Sequence, residues 1–353
     1  MNKDYYPYTL LSILRKKKNI IDLSQGVPIN NKLQQLSINS IYQYSPRLGI
    51  DLLRKKLVNK TLPGIKSSKV YSIITMGATQ GIYEGILATT NERDSIAIIS
   101  PAYHHYKIII NELNRECYQL PYIEDKRILS NHLKKIKPKL IIINSPANPT
   151  GVTLKRKQLG TIINIAKYNK SWILCDSVLQ QLQWDKQPRA GLYIYRNYRK
   201  IIIINSLSKA YGSPGLRIGI LISRKQIQEK IKKRIGIMMM GLSLPSQELA
   251  LQVLKTIPLI KEAKEKTNYC YNKLRKAHIN IPKPSGGFFL FLNFNRNNPF
   301  RGLLNRGILT FPGNAFSQNF IKSVRINIMN DYDILDKALE EIISFANYDK
   351  DKH

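Results

Sequence analysis

The stretch Ser206-Leu-Ser-Lys209-Ala-Tyr-Gly-Ser-Pro-Gly-Leu-Arg217-Ile-Gly219 decides how the rest of the chain is read. It follows the apolar run Ile201–Ile204, which predicts a strand. Lys209 therefore lies just beyond a strand's C-terminal end, where open α/β sheets bind their ligands. A lysine in a partly desolvated site that also holds other cations has a lowered pKa and can form a Schiff base. Ser206, Ser208 and Arg217 are suited to a phosphate, and the glycines allow close backbone approach.

Outward from this stretch, short apolar runs alternate with amphipathic ones. Strands are predicted at Val70–Thr75, Ser95–Ile99, Cys117–Leu120, Lys139–Ile143, Trp172–Cys175, Lys200–Ile204 and Ile218–Ile222. Most are continuous and rich in Ile, as strands covered on both faces require. Helices are predicted near Thr79–Thr90, Tyr103–Leu113 and Leu154–Tyr168. Alternation of this kind specifies an α/β domain with a mostly parallel, seven-stranded sheet. After Ser223 the pattern changes to helices at Gln226–Arg234, Ser246–Thr256 and Leu259–Lys276, a strand at Phe288–Phe294 and a loop near Pro299–Arg301. The expected division is a large domain of residues 36–240 and a smaller α+β domain formed by 1–35 with 241–353.

The 353 residues carry 56 Lys and Arg against 23 acidic side chains, a net charge of +33. A hydrophobic share of 43% excludes a disordered chain. Nucleic-acid binding would need cations gathered on one face. Along the chain they are dispersed, in short clusters at Arg15–Lys18, Arg54–Lys56, Lys134–Lys139 and Lys230–Arg234 without interleaved aromatics. No nucleic-acid partner is expected from this distribution. No run approaches the roughly 20 apolar residues that span a bilayer, and no targeting signal is evident, so no membrane partner and a cytoplasmic location are expected. Cys117, Cys175 and Cys270 lack CxxC spacing and read as neutral thiols, with no metal site.

Further motifs sit at other strand ends. Gly77-Ala78-Thr79-Gln80 opens a helix, where backbone N–H groups attract phosphate. Gly77, Gly81 and Gly85 do not form the GxGxxG of a dinucleotide site. Ser100-Pro-Ala-Tyr103, Asn144-Ser-Pro-Ala-Asn148-Pro-Thr-Gly151 and Asp176 each follow a strand, Asp176 standing 33 residues before Lys209. Ser24-Gln-Gly26-Val-Pro28 and Tyr44-Ser-Pro-Arg-Leu-Gly49 precede the sheet, and Phe311-Pro-Gly313 precedes Val324-Arg325-Ile-Asn327.

In this order the motifs resemble the fold type I pyridoxal-phosphate enzymes, in the class I/II aminotransferase group, over about Ser24 to Asn327. The resemblance implies pyridoxal 5'-phosphate held by Lys209 as a Schiff base. It implies that Asp176 pairs with the ring nitrogen, Asn148 with the phenolic oxygen, and that Tyr103 stacks on the ring. Ala78, Thr79, Gln80, Ser206, Ser208 and Arg217 would grip the phosphate, joined by Tyr44 from the partner subunit of a homodimer. Gly26 would line the substrate pocket and Arg325 would bind the substrate α-carboxylate. One position departs: Leu179 stands where the family usually has a tyrosine. Leucine offers the phenolate no hydrogen bond, which raises the pKa of the Schiff base.

The function implied is amino transfer from an amino acid to a 2-oxo acid. A lyase, decarboxylase or cyclase of the same fold is the alternative that the Leu179 departure leaves open. A non-catalytic basic interaction protein is a distant third.

Overall fold

The computed structural model describes residues 10, 11, 13, 14, 19–26, 44–121, 126–224 and 227–347. The cluster Arg15–Lys18, Val27 and Pro28 of the N-terminal motif, and Gln226 at the start of an expected helix lie outside them.

The central sheet has seven strands in the order β2-β8-β7-β6-β5-β3-β4. They are β2 (Tyr71–Met76), β3 (Ser95–Ser100), β4 (Glu116–Pro121), β5 (Leu140–Asn144), β6 (Trp172–Asp176), β7 (Ile201–Ser206) and β8 (Ile218–Ser223). From β4 to β7 neighbours run parallel; β8 runs antiparallel to both β7 and β2. The Ile-rich runs account for this. Every residue of Ile201–Ile204 and Ile141–Ile143 is buried, alternate ones packing into opposite covering layers. Truncating one such residue, Ile203 for example, would cost about 2–5 kcal/mol.

Helices α1 (Asp51–Thr61), α2 (Gly77–Thr89), α3 (His105–Glu112), α4 (Lys126–Ile136), α5 (Arg156–Tyr168) and α6 (Ala190–Asn197) accompany the sheet. Gly85 has a packing reason. A Cβ there would press on Leu174 Cδ1 of β6 at 2.8 Å, so the glycine lets α2 lie close over the strands.

Beyond β8 come α7 (Gln228–Met239), α8 (Leu244–Val253) and α9 (Ile260–Lys276). A second sheet, β11-β12-β9, joins Phe311–Pro312, Ser323–Asn327 and Phe289–Asn293, with α11 (Tyr332–Asn347) beside it. The loop expected near Pro299–Arg301 is instead a helix, α10 (Pro299–Leu304). Pro299 presets the first turn, and the Asn298 side chain accepts a hydrogen bond from the Arg301 N–H. The described N-terminal residues pack against this region. Strand β1 (Ile21–Asp22) pairs in parallel with β10 (Ile308–Leu309), and Leu11 and Leu14 join Phe291, Phe311 and Phe316. No helix among the described residues is long and apolar enough to cross a membrane.

Candidate active site

The C-terminal ends of β5, β6 and β7 open into a cavity of about 290 Å³. Asn144, Asp176 and Ser206, the last residues of these strands, line it together with Lys209. Parallel strands aim their ends at one edge, so residues 30 or more apart in sequence converge there.

Lys209 Nζ donates to the Gly26 carbonyl at 2.5 Å. Burial pulls its pKa down to about 8, helped by the positive charges of Arg325 and Arg217 and opposed by Asp176. Asp176 is buried, and burial pushes its carboxyl up. Three partners counter that push: the Tyr106 hydroxyl donating to Oδ2 at 2.5 Å, the Val178 N–H donating to Oδ1 at 3.0 Å, and Lys209.

On the second sheet, Arg325 is only 3% exposed. Its Nη1 donates to Asn148 Oδ1 at 2.9 Å and its Nη2 to the Ser24 carbonyl at 3.1 Å. The guanidinium lies over the rings of Phe289 at 4.3 Å and Phe311 at 4.7 Å. Held this way, the fork keeps its plane, a geometry that can pair with a carboxylate. Gly26 faces both cations: a Cβ there would stand 3.8 Å from Arg325 Nη2 and 3.9 Å from Lys209 Nζ.

At the opposite wall, α2 begins at Gly77 with φ +67°. A Cβ at Gly77 would press on the mobile tip of Arg217, and the positive φ itself favours glycine there. Arg217 has φ +53° and donates from Nη1 to the Pro214 carbonyl at 3.0 Å. Ala78, Thr79, Ser206, Ser208 and Arg217 all line the cavity. The Ser206 hydroxyl is buried without a hydrogen-bond partner among the described residues. A buried orphan donor is expensive unless an acceptor visits it. Tyr103 lines the same cavity; burial raises its hydroxyl pKa to about 12, against a hydrogen bond with Thr79.

Two expected residues are not brought in. The Gln80 side chain turns back, accepting from the Met76 N–H at 2.6 Å and reaching Met239 Sδ at 3.1 Å, so it does not line the cavity. Tyr44 is 92% exposed and does not line the cavity of its own chain. Two others went unassigned. Tyr106 holds Asp176 through a tertiary contact that leaves no local pattern in the sequence. His104 lines the cavity beside Phe311, its pKa pulled well below the ordinary value by burial first, then by His105 and Arg325. Leu179 is a buried wall residue, as its place in the motif implied.

Comparisons with known proteins identify the family. The profile of "Aminotransferase class I and II" matches residues 18–342. An aspartate aminotransferase of Thermotoga maritima is 24% identical over 95% of this chain and 94% of its own. A probable N-acetyl-LL-diaminopimelate aminotransferase of Bacillus subtilis is 25% identical over 95% and 91%. The crystal structure of a Thermotoga maritima aspartate aminotransferase superposes with a TM-score of 0.84, covering 98% of this chain and 97% of that one at 23% identity. The chain belongs to the class I and II aminotransferases, enzymes that move an amino group from an amino acid to a 2-oxo acid.

Proposed function

We propose that this aminotransferase works with pyridoxal 5'-phosphate in the cavity, on amino donors recognised through their α-carboxylate. The observation that carries the reading is Lys209, whose amine is brought near pH 8 in a cavity walled by Asp176 and Arg325. The residues present fit the cofactor. The orphan Ser206 hydroxyl, Ser208, Thr79, Arg217 and the first N–H groups of α2 offer donors for a phosphate. The carboxylate of Asp176 suits a ring nitrogen, Asn148 suits the phenolic oxygen, and Tyr103 offers a ring face.

When bound, pyridoxal phosphate supplies an aldehyde that takes up the amino group and a ring that withdraws electrons. The chain's own residues do the rest. Arg325 anchors the carboxylate bidentately and fixes which bond at Cα faces Lys209. The free amine of Lys209 takes the proton from Cα and returns it to the other side of the nitrogen. Asp176, braced by Tyr106 and the Val178 N–H, keeps a negative charge where the ring nitrogen needs its proton. Tyr103, Phe289 and Phe311 exclude water from the same volume.

The reading extends to a homodimer whose partner lends Tyr44. Exposed apolar side chains support it: Met76, Ile237, Met238 and Met240 are all open to solvent in the single chain. Ser45 packs against Gly241 and Gln80 against Met239, which ties these segments together. It also assigns residues 36–240 to a cofactor domain carrying Lys209 and Asp176, and 1–35 with 241–353 to a smaller domain carrying Gly26 and Arg325. A panel of amino donors with several 2-oxo acid acceptors tests the substrate reading. Transfer that is lost when the α-carboxylate is replaced by an amide supports it; unchanged rates with the amides overturn it.

A further inference from the structure

Cations that look dispersed along the chain converge in the fold. Between residues 126 and 228 there are 20 Lys and Arg and two carboxylates, Asp176 and Asp185. Both carboxylates are committed: Asp176 to the cavity, Asp185 to hydrogen bonds from Thr153 and Gln183. The cations around Lys167, before β6, and Arg196, before β7, therefore meet at the edge of the sheet opposite the active site. Arg224 joins them because β8 runs the other way and ends there.

These three segments line one groove of about 720 Å³ with Lys167, Lys170, Arg196, Arg199, Lys200 and Arg224, and no carboxylate. None of the six forms an ion pair among the described residues. Arg224 is held in place, donating from Nη2 to the Tyr195 carbonyl at 2.8 Å with its guanidinium 4.2 Å from the Tyr195 ring centroid. Its Nε is buried and has no hydrogen-bond partner among the described residues. A second groove of about 620 Å³, also without a carboxylate, carries Arg127 and Lys134 and adjoins the first where Tyr168 follows Lys167. Tyr168 is 70% exposed, with Lys134 Nζ 5.8 Å from its ring centroid.

Six neighbouring like charges do not stabilise the fold; they lower the energy of an anion that bridges them. A bare polyphosphate would answer the charge but leave the exposed ring unused. Cationic grooves that meet at an aromatic platform suit a strand of phosphodiesters with bases to stack. We propose that this edge binds single-stranded nucleic acid, its backbone along the two grooves and a base on Tyr168. A strand of six residues spans roughly 20 Å, which sets the site apart from Lys209.

The test is fluorescence anisotropy of the holoenzyme with labelled oligouridylate and oligothymidylate of about 12 nucleotides, within the length range of known single-strand sites. Six phosphate contacts predict a log–log salt slope of about −4. Binding should weaken at least tenfold in Arg196→Gln/Arg199→Gln/Lys200→Gln and hold within twofold in Lys261→Gln/Lys264→Gln/Lys276→Gln, which removes equal charge elsewhere. Tyr168→Ala should weaken it roughly fivefold or more. Comparing the two oligomers separates RNA from DNA as the source of the strand. Equal losses in the two triple variants overturn the proposal by showing undirected charge. An unaffected Tyr168→Ala overturns it in favour of a plain polyanion. Thermal unfolding of each variant confirms that the fold compared is intact.

Discussion

The two edges of the central sheet hold positive charge in opposite ways. At the C-terminal edge, Lys209, Arg217 and Arg325 sit in a small cavity, where burial and mutual repulsion draw the lysine's pKa to about 8. At the N-terminal edge, six cations share a groove open to water, with no carboxylate among its lining residues. Desolvation makes the difference. A buried charge interacts strongly with every neighbour, whereas a solvated one is screened within about 8 Å at physiological salt. One edge is built for chemistry on individual atoms, the other for attraction by many charges at once.

The contrast is broken first at Lys209. Lys209→Ala removes the proton carrier and is expected to slow amino transfer by about 10²–10⁴-fold or more, measured as single-turnover release of the 2-oxo acid. The pH dependence has a definite sign. Below pH 8 the amine is protonated, so reaction of the cofactor-free protein with an aldehyde should accelerate through a midpoint near 8. Between about 8 and the ordinary value of 10.5 the unfolded chain holds the proton that the folded chain has lost. Stability of the cofactor-free protein therefore gains a contribution that rises with pH across that window. A chemical-denaturation series on wild type and Lys209→Met should show the slope only in wild type.

Next in size is Arg325→Lys. It keeps the charge and removes the planar fork that Asn148 and Ser24 hold, so kcat/KM should fall about 10–100-fold, chiefly through KM. Leu179→Tyr has a smaller effect. A hydroxyl at this wall gives the cofactor's phenolic oxygen a donor, so the pH midpoint of the holoenzyme's absorbance transition should move down. An unmoved or higher midpoint would show that Leu179 does not set it. Last come the groove cations. Replacing Arg196, Arg199 and Lys200 by Gln should change stability by no more than about 0.5 kcal/mol each, read from chemical denaturation. A large loss would mean that the groove is part of the fold's support.

The same contrast explains what the amino-acid sequence discloses. The strand ends are legible because buried parallel strands are short Ile-rich runs, and the residue that follows each run falls at one edge. Lys209, Asp176, Asn148 and Tyr103 could be placed in this way. Tyr106 was not, because its role arises from where helix α3 turns over β6, a tertiary contact without a local pattern. Helix α10 was hidden by the proline and asparagine that start it, residues equally at home in a loop. The basic groove was hidden for a related reason: Lys167, Arg196 and Arg224 become neighbours only through strand order and the reversal of β8.

The most direct test is to mix the holoenzyme with an amino acid and no acceptor, and to count products per active site. The account predicts one 2-oxo acid per site, no ammonia or carbon dioxide, and recovery of the starting spectrum when a second 2-oxo acid is added. Release of ammonia or carbon dioxide, or the absence of any 2-oxo acid with every donor tried, would contradict it.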